Sequence, residues 1–159
     1  MTLNTSQSNA IENEISSYRK YHQTLGNRIT HFIGIPLILC AIFCALGWFR
    51  FSPFDIPLSA ATVFWVGMIG LYFRIHKSVA LGFACWSFPL FLIAEEISVR
   101  PFGFSALFTG SAFIIGWMFQ FWGHAIEKNK PAFFTQWNHL WRGPLFITYE
   151  WMSALGITI

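Results

Sequence analysis

Apolar residues in this chain gather into long runs instead of alternating with polar ones. Four runs stand out, at about 29–49, 56–73, 79–94 and 104–123. Their length and lack of alternation favour helix over strand. A helix needs about 20 residues to cross the hydrocarbon core, within a range of about 17–25. The third run is marginal on that scale and contains Pro89. It is expected to tilt little, to kink at the proline, or to thin the bilayer locally. The pattern predicts an all-α, integral membrane helical bundle with four transmembrane helices.

The last stretch, PLFITYEWMSALGITI, is apolar but holds Glu150 near its middle. An acid at the bilayer centre costs roughly 2.5–3.5 kcal/mol on insertion scales. A C-terminal interfacial or re-entrant helix under the bundle is therefore expected, with a fifth span as the alternative. Residues 1–15 read as a disordered tail. Residues 16–159 read as one membrane-embedded domain without internal repeats.

Composition agrees with the pattern. Hydrophobic residues make up 55% of the chain and charged ones only 11%, where soluble proteins hold about a quarter charged. Eight Trp and nineteen Phe suit a lipid-facing surface with interfacial anchors. The net charge of +3 is too small to argue for nucleic acid. Cys40, Cys44 and Cys85 all lie inside apolar runs and do not form a disulfide framework. The opening MTLNTSQSNAIENEIS lacks the apolar core of a signal peptide.

The position of the cations sets an orientation. Arg19, Lys20, Arg28, Arg74, Lys77, Lys128, Lys130 and Arg142 fall on one side of the four expected spans, and only Arg50 and Arg100 fall on the other. By the positive-inside rule both termini are expected in the cytoplasm, in a prokaryotic plasma membrane.

All five histidines, His22, His31, His76, His124 and His139, fall on that cytoplasmic side. Asn27 and His31 are four apart and share a helix face, as do Gln120, His124 and Glu127. Two helix ends thus offer polar groups at one membrane depth. Imidazole is the commonest metal ligand, and nitrogen-rich sites suit Fe, Zn, Cu or Ni. The plainer reading is an interfacial histidine bonded to a carbonyl or water, and it applies best to His76 and His139. There is no HExxH, GxSxG or phosphate loop. Lys128 and Lys130 are snorkelling cations or partners of a substrate carboxylate.

Two stretches resemble a known family. YRKYHQTLGNRITHFIGIP is similar to the pattern Y-x-x-Y-H-x4-N-x3-H-x4-P, and GWMFQFWGH to G-W-x-x-Q-F-x-G-H. GPLFITYE resembles a P-x-F-x3-E tail. Together they resemble the 2-hydroxy fatty acid dioxygenase family, over about residues 18–156. The resemblance implies a small multi-span protein binding non-haem Fe(II), which uses O2 to shorten a 2-hydroxy fatty acid by one carbon. On this reading His22, His31 and His124 are the iron ligands, with His76 and His139 as secondary candidates. Asn27, Gln120 and Glu127 are the other residues assigned to the chemistry, and the acyl tail is expected to run between the spans against apolar surface. The rival readings are a haem or other metal protein, and a non-enzymatic scaffold or lipid carrier.

Overall fold

The computed structural model describes residues 24–128 and 139–157, with side chains from 141 onward in the second stretch. Among these residues the fold is five helices and one small hairpin. The helices are α1 (Leu25–Gly47), α2 (Ala60–Ile75), α3 (Lys77–Ser98), α4 (Phe102–Glu127) and α5 (His139–Ala154). Strands β1 (Arg50–Phe51) and β2 (Leu58–Ser59) pair antiparallel between α1 and α2.

Local chemistry sets the boundaries, and several differ from the hydropathy runs. The helix α1 starts four residues before its run because the Thr24 side chain accepts the Asn27 N–H. The run expected at 56–73 becomes a shorter helix, α2. Its first residues, Ile56 to Ser59, belong to the turn and β2, and Ser59 caps α2 by accepting the Thr62 N–H. Hydropathy counted these residues as span because it does not register that Pro57 favours extended backbone before it. The marginal third run lies within a helix of 22 residues that contains Pro89 and extends through Glu95 and Glu96.

Among the described residues three helices, α1, α3 and α4, are long and apolar enough to cross a membrane. The apolar α2 has 16 residues, or about 24 Å at 1.5 Å per residue.

Contacts at the helix ends fix an up-down order. At one end Arg50, after α1, bonds the Glu95 carboxylate of α3 at 2.9 Å and Ser98 Oγ at 2.7 Å. Ser59, before α2, also donates to Glu95. Trp48 donates to Ser105 of α4 at 2.8 Å. At the other end Thr24 meets Glu127. The start of α1, the α2–α3 corner at His76 and the end of α4 therefore share one end of the bundle.

The aromatic core lies among α1, α2 and α3. Phe43 and Phe83 are fully buried. Trp65 stacks on Phe91 with ring centroids 5.0 Å apart, and Tyr72 meets Phe83 edge-on at 4.8 Å. The short helix α5 docks on this core at the histidine end. The Tyr72 hydroxyl donates to the Trp141 carbonyl at 2.7 Å. The Trp86 indole N–H donates to Thr148 Oγ1 at 2.8 Å. A buried run, Leu145 to Thr148, follows Pro144 on α5, and Glu150 pairs with Arg28 of α1.

The helix α4 packs mainly on α1 through small residues. A Cβ on Gly34 would lie 2.7 Å from the Gly116 carbonyl oxygen, so the two backbones touch there. The opposite face of α4 exposes Leu107, Ile114, Met118 and Trp122, as expected of a surface against lipid.

Candidate functional site: a buried histidine pair between α1 and α4

The last turns of α4 bring polar side chains against the first turns of α1. His31 is 1% exposed and His124 is 5% exposed. Their rings stand edge-on, with centroids 4.9 Å apart and planes at 86°. Asn27, Thr30 and Gln120 are buried beside them. A span interior is a costly place for polar groups, so such clusters are satisfied internally or serve function.

Glycine makes the approach possible. A Cβ on Gly123 would lie 2.6 Å from Asn27 Oδ1 and 3.1 Å from His31 Nδ1, and would overlap Thr30 Oγ1. Only a residue without a side chain lets α4 come this close one position before His124.

The His31 imidazole is held by its own helix and by its neighbours. His31 Nδ1 lies 2.9 Å from the Asn27 carbonyl oxygen. A carbonyl only accepts, so Nδ1 carries the proton and the lone pair of the neutral ring sits on Nε2. The Thr30 hydroxyl donates to the same carbonyl at 2.7 Å. The Asn27 N–H donates to Thr24 Oγ1 at 3.3 Å. Thr24 in turn donates to Glu127 Oε1, from its N–H at 2.6 Å and from its hydroxyl at 3.1 Å. Glu127 lies three residues after His124 on α4. The hydrogen bonds therefore run from His31 to Glu127, on the turn of α4 that follows His124.

The remaining candidates fall elsewhere. His76 is the N-cap of α3, where its Nδ1 accepts the Ser78 N–H at 3.3 Å. Lys128 ends α4 in a left-handed conformation with φ 56° and is exposed. His139 opens α5, and its side chain is outside the description. His22 and Lys130 lie outside the described residues. Gln120 is 7% exposed, with its Nε2 against Gly34. Helix spacing in the sequence marks none of Thr24, Thr30 and Gly123. Thr24 carried a signal, a threonine three residues before a polar position at the start of an apolar run.

Among the described residues no group of three His, Cys, Asp or Glu side chains is placed to share a metal ion. The two imidazoles are a pair of nitrogen donors. They come from facing helices, and His31 shows the Nδ1–H to carbonyl bond that orients a metal-ligating histidine. The described residues thus supply two imidazoles of the kind a nitrogen-rich ligand set uses.

Fold and site together define a class: a small all-α protein with helices of membrane-spanning length and a buried imidazole pair near one helix end. Sequence comparison makes it specific. Residues 8–155 match the family model described as Mpo1-like, 2-hydroxy-palmitic acid dioxygenase Mpo1-like, and the chain belongs to that family. It is similar to the 2-hydroxy-palmitic acid dioxygenase MPO1 of Saccharomyces cerevisiae, with 27% identity over 148 residues, 92% of this chain and 82% of the yeast protein. No solved structure matches the chain.

Proposed function

We infer that this chain is a membrane-embedded dioxygenase that shortens 2-hydroxy fatty acids by one carbon with non-haem Fe(II). The observation that carries the reading is the His31–His124 pair, buried between α1 and α4 at 4.9 Å within the two stretches that resemble the family's motifs and inside the span matched by the family model. The yeast relative's name supplies the substrate class. Atoms balance as R–CH(OH)–COOH plus O2 giving R–COOH, CO2 and water.

His31 and His124 would hold the iron through ring nitrogens. His22 is the proposed third ligand. Two peptide units separate it from Thr24, a reach of about 7 Å, and Thr24 is tied to Glu127 at the edge of the pair. Bound iron would supply a Lewis acid and a one-electron redox centre for O2. Asn27 and Thr30 fix the His31 ring, and Gly123 lets α4 close over it. Burial of both rings keeps bulk water from the reacting atoms.

The location suits an amphiphilic substrate, whose head sits at the membrane surface while its tail lies in apolar surroundings. Each buried CH2 of that tail contributes about 0.8 kcal/mol. Close contact at Gly34 and Gly116 leaves no room for an acyl chain between α1 and α4 at that level, so the tail leaves the site along another face of the bundle. We place the histidine end at the cytoplasmic surface, following the cation distribution. In this arrangement α2 is a fourth span, lengthened by the apolar residues of β2 and the turn before it.

The test is incubation of the purified protein with 2-hydroxypalmitic acid, Fe(II) and O2. The expected product is the fifteen-carbon fatty acid. Absence of turnover over a series of chain lengths, in protein that has bound iron, would overturn the reading.

A further inference from the structure

We propose that Glu127 is a positioning residue which, through Thr24, clasps the first turn of α1 to the last turn of α4 and so sets the His31–His124 pair. The metal-binding consequence rests on the iron reading above; the clasp rests on geometry alone.

Glu127 Oε1 accepts both the Thr24 N–H at 2.6 Å and the Thr24 hydroxyl at 3.1 Å. An N-cap residue precedes the helix and has no intrahelical partner for its own N–H, so the carboxylate supplies one from a helix 103 residues away in sequence. The arrangement is a capping box made across two helices: the usual reciprocal acid comes from the same helix at its third position. In α1 the corresponding place is Asn27, and the first turn of α1 contains no acid. The carboxylate also places negative charge at the positive end of the α1 dipole.

From Thr24 the effect passes inward. Its Oγ1 receives the Asn27 N–H, and the Asn27 carbonyl receives His31 Nδ1–H. Loss of the clasp would let the first turn of α1 fray. The Asn27 carbonyl would then lose its fixed position and His31 its fixed tautomer. On the α4 side, Glu127 lies three residues after His124, so the same contact holds the last turn of the helix that carries the second ring. A ligand role for Glu127 is thereby set against a structural bond that engages Oε1.

The variants separate these roles. Glu127→Gln keeps an Oε1 that accepts from Thr24 but removes the charge. Glu127→Ala removes the acceptor, and Thr24→Val removes the hydroxyl while keeping the N–H. Full-length protein in detergent micelles is titrated anaerobically with Fe(II), and the imidazole nitrogens are followed by 15N NMR without metal. Partners beyond the ligands are worth about 10–100-fold in metal affinity. Glu127→Ala should therefore weaken Fe(II) binding by about that factor, while Glu127→Gln should stay within about threefold of the parent, on the premise that a neutral amide oxygen still accepts. Without metal, the parent and Glu127→Gln should show His31 as a single Nδ1–H tautomer, whereas Glu127→Ala should show a mixture. Thr24→Val should fall between.

Equal loss of affinity in Glu127→Gln and Glu127→Ala would make the carboxylate a ligand or proton carrier and overturn the proposal. Unchanged His31 signals in Glu127→Ala would overturn it as well. Failure of the parent to bind Fe(II) would instead count against the iron reading, and the NMR comparison would still decide the clasp.

Discussion

The Arg28 guanidinium of α1 pairs with the Glu150 carboxylate of α5, which is 5% exposed, while Arg28 remains partly exposed. The pair explains how an acid can stand within an otherwise apolar C-terminal stretch. It also ties α5 to the helix that carries His31, three residues beyond Arg28.

Removing Arg28 leaves a buried carboxylate without this counter-charge, a change that destabilises more than losing both charges together. Arg28→Ala is expected to lower stability by roughly 2–3 kcal/mol, reduced from the fully buried case because the arginine is partly solvated. Thermal unfolding in detergent reads the effect. The double variant Arg28→Ala with Glu150→Gln should recover part of the loss, and no recovery would show that the pair is not coupled.

Gly123 is the tightest point of the site. Gly123→Ala places a methyl group against Asn27, Thr30 and His31, and overpacking of this kind costs about 1–3 kcal/mol. The expected result is a lower melting temperature together with weaker Fe(II) binding. Gly110→Ala is the matched control on the same helix, since a Cβ there meets nothing within 4 Å. It should be near neutral in both measurements.

Much of the fold could be read from hydropathy, because a chain in lipid must satisfy its backbone within helices. The apolar runs around Leu39 and Ile114 became α1 and α4 for that reason. The boundaries could not be read the same way. Ile56 and Leu58 are as apolar as any span residue, yet the turn at Phe54 and Asp55, with φ 55° and 61°, folds them into a hairpin. Likewise α3 continues through Glu95 because Arg50, distant in sequence, neutralises it.

The candidate site shows the same division. His31 and His124 were marked by their shared membrane depth and by the family motifs, and the structure brings them together. Depth alone did not separate them from His76, which sits at the same end of the bundle as a helix cap. Only the corner between α2 and α3 reveals that use. Thr24 and Glu127 were harder still, since their contact joins two segments 103 residues apart.

His76 therefore predicts differently from the pair. His76→Ala should cost about 0.5–1 kcal/mol, as for loss of a modest N-cap, with Fe(II) binding and turnover retained. His76→Asn should restore the stability, because asparagine is a preferred cap. Stability comes from unfolding curves and iron content from metal analysis of the same samples. Loss of iron in His76→Ala would move this residue into the metal site.

The central claim is that one Fe(II) held by His31 and His124 supports cleavage of a 2-hydroxy fatty acid. The most direct measurement takes purified parent, His31→Ala and His124→Ala proteins, confirms that each retains its helical circular dichroism, and determines bound Fe(II) and conversion of 2-hydroxypalmitic acid on the same samples. The account predicts one iron per chain and a fifteen-carbon product for the parent, and loss of both in each folded variant. Folded variants that keep full iron and full turnover would contradict it.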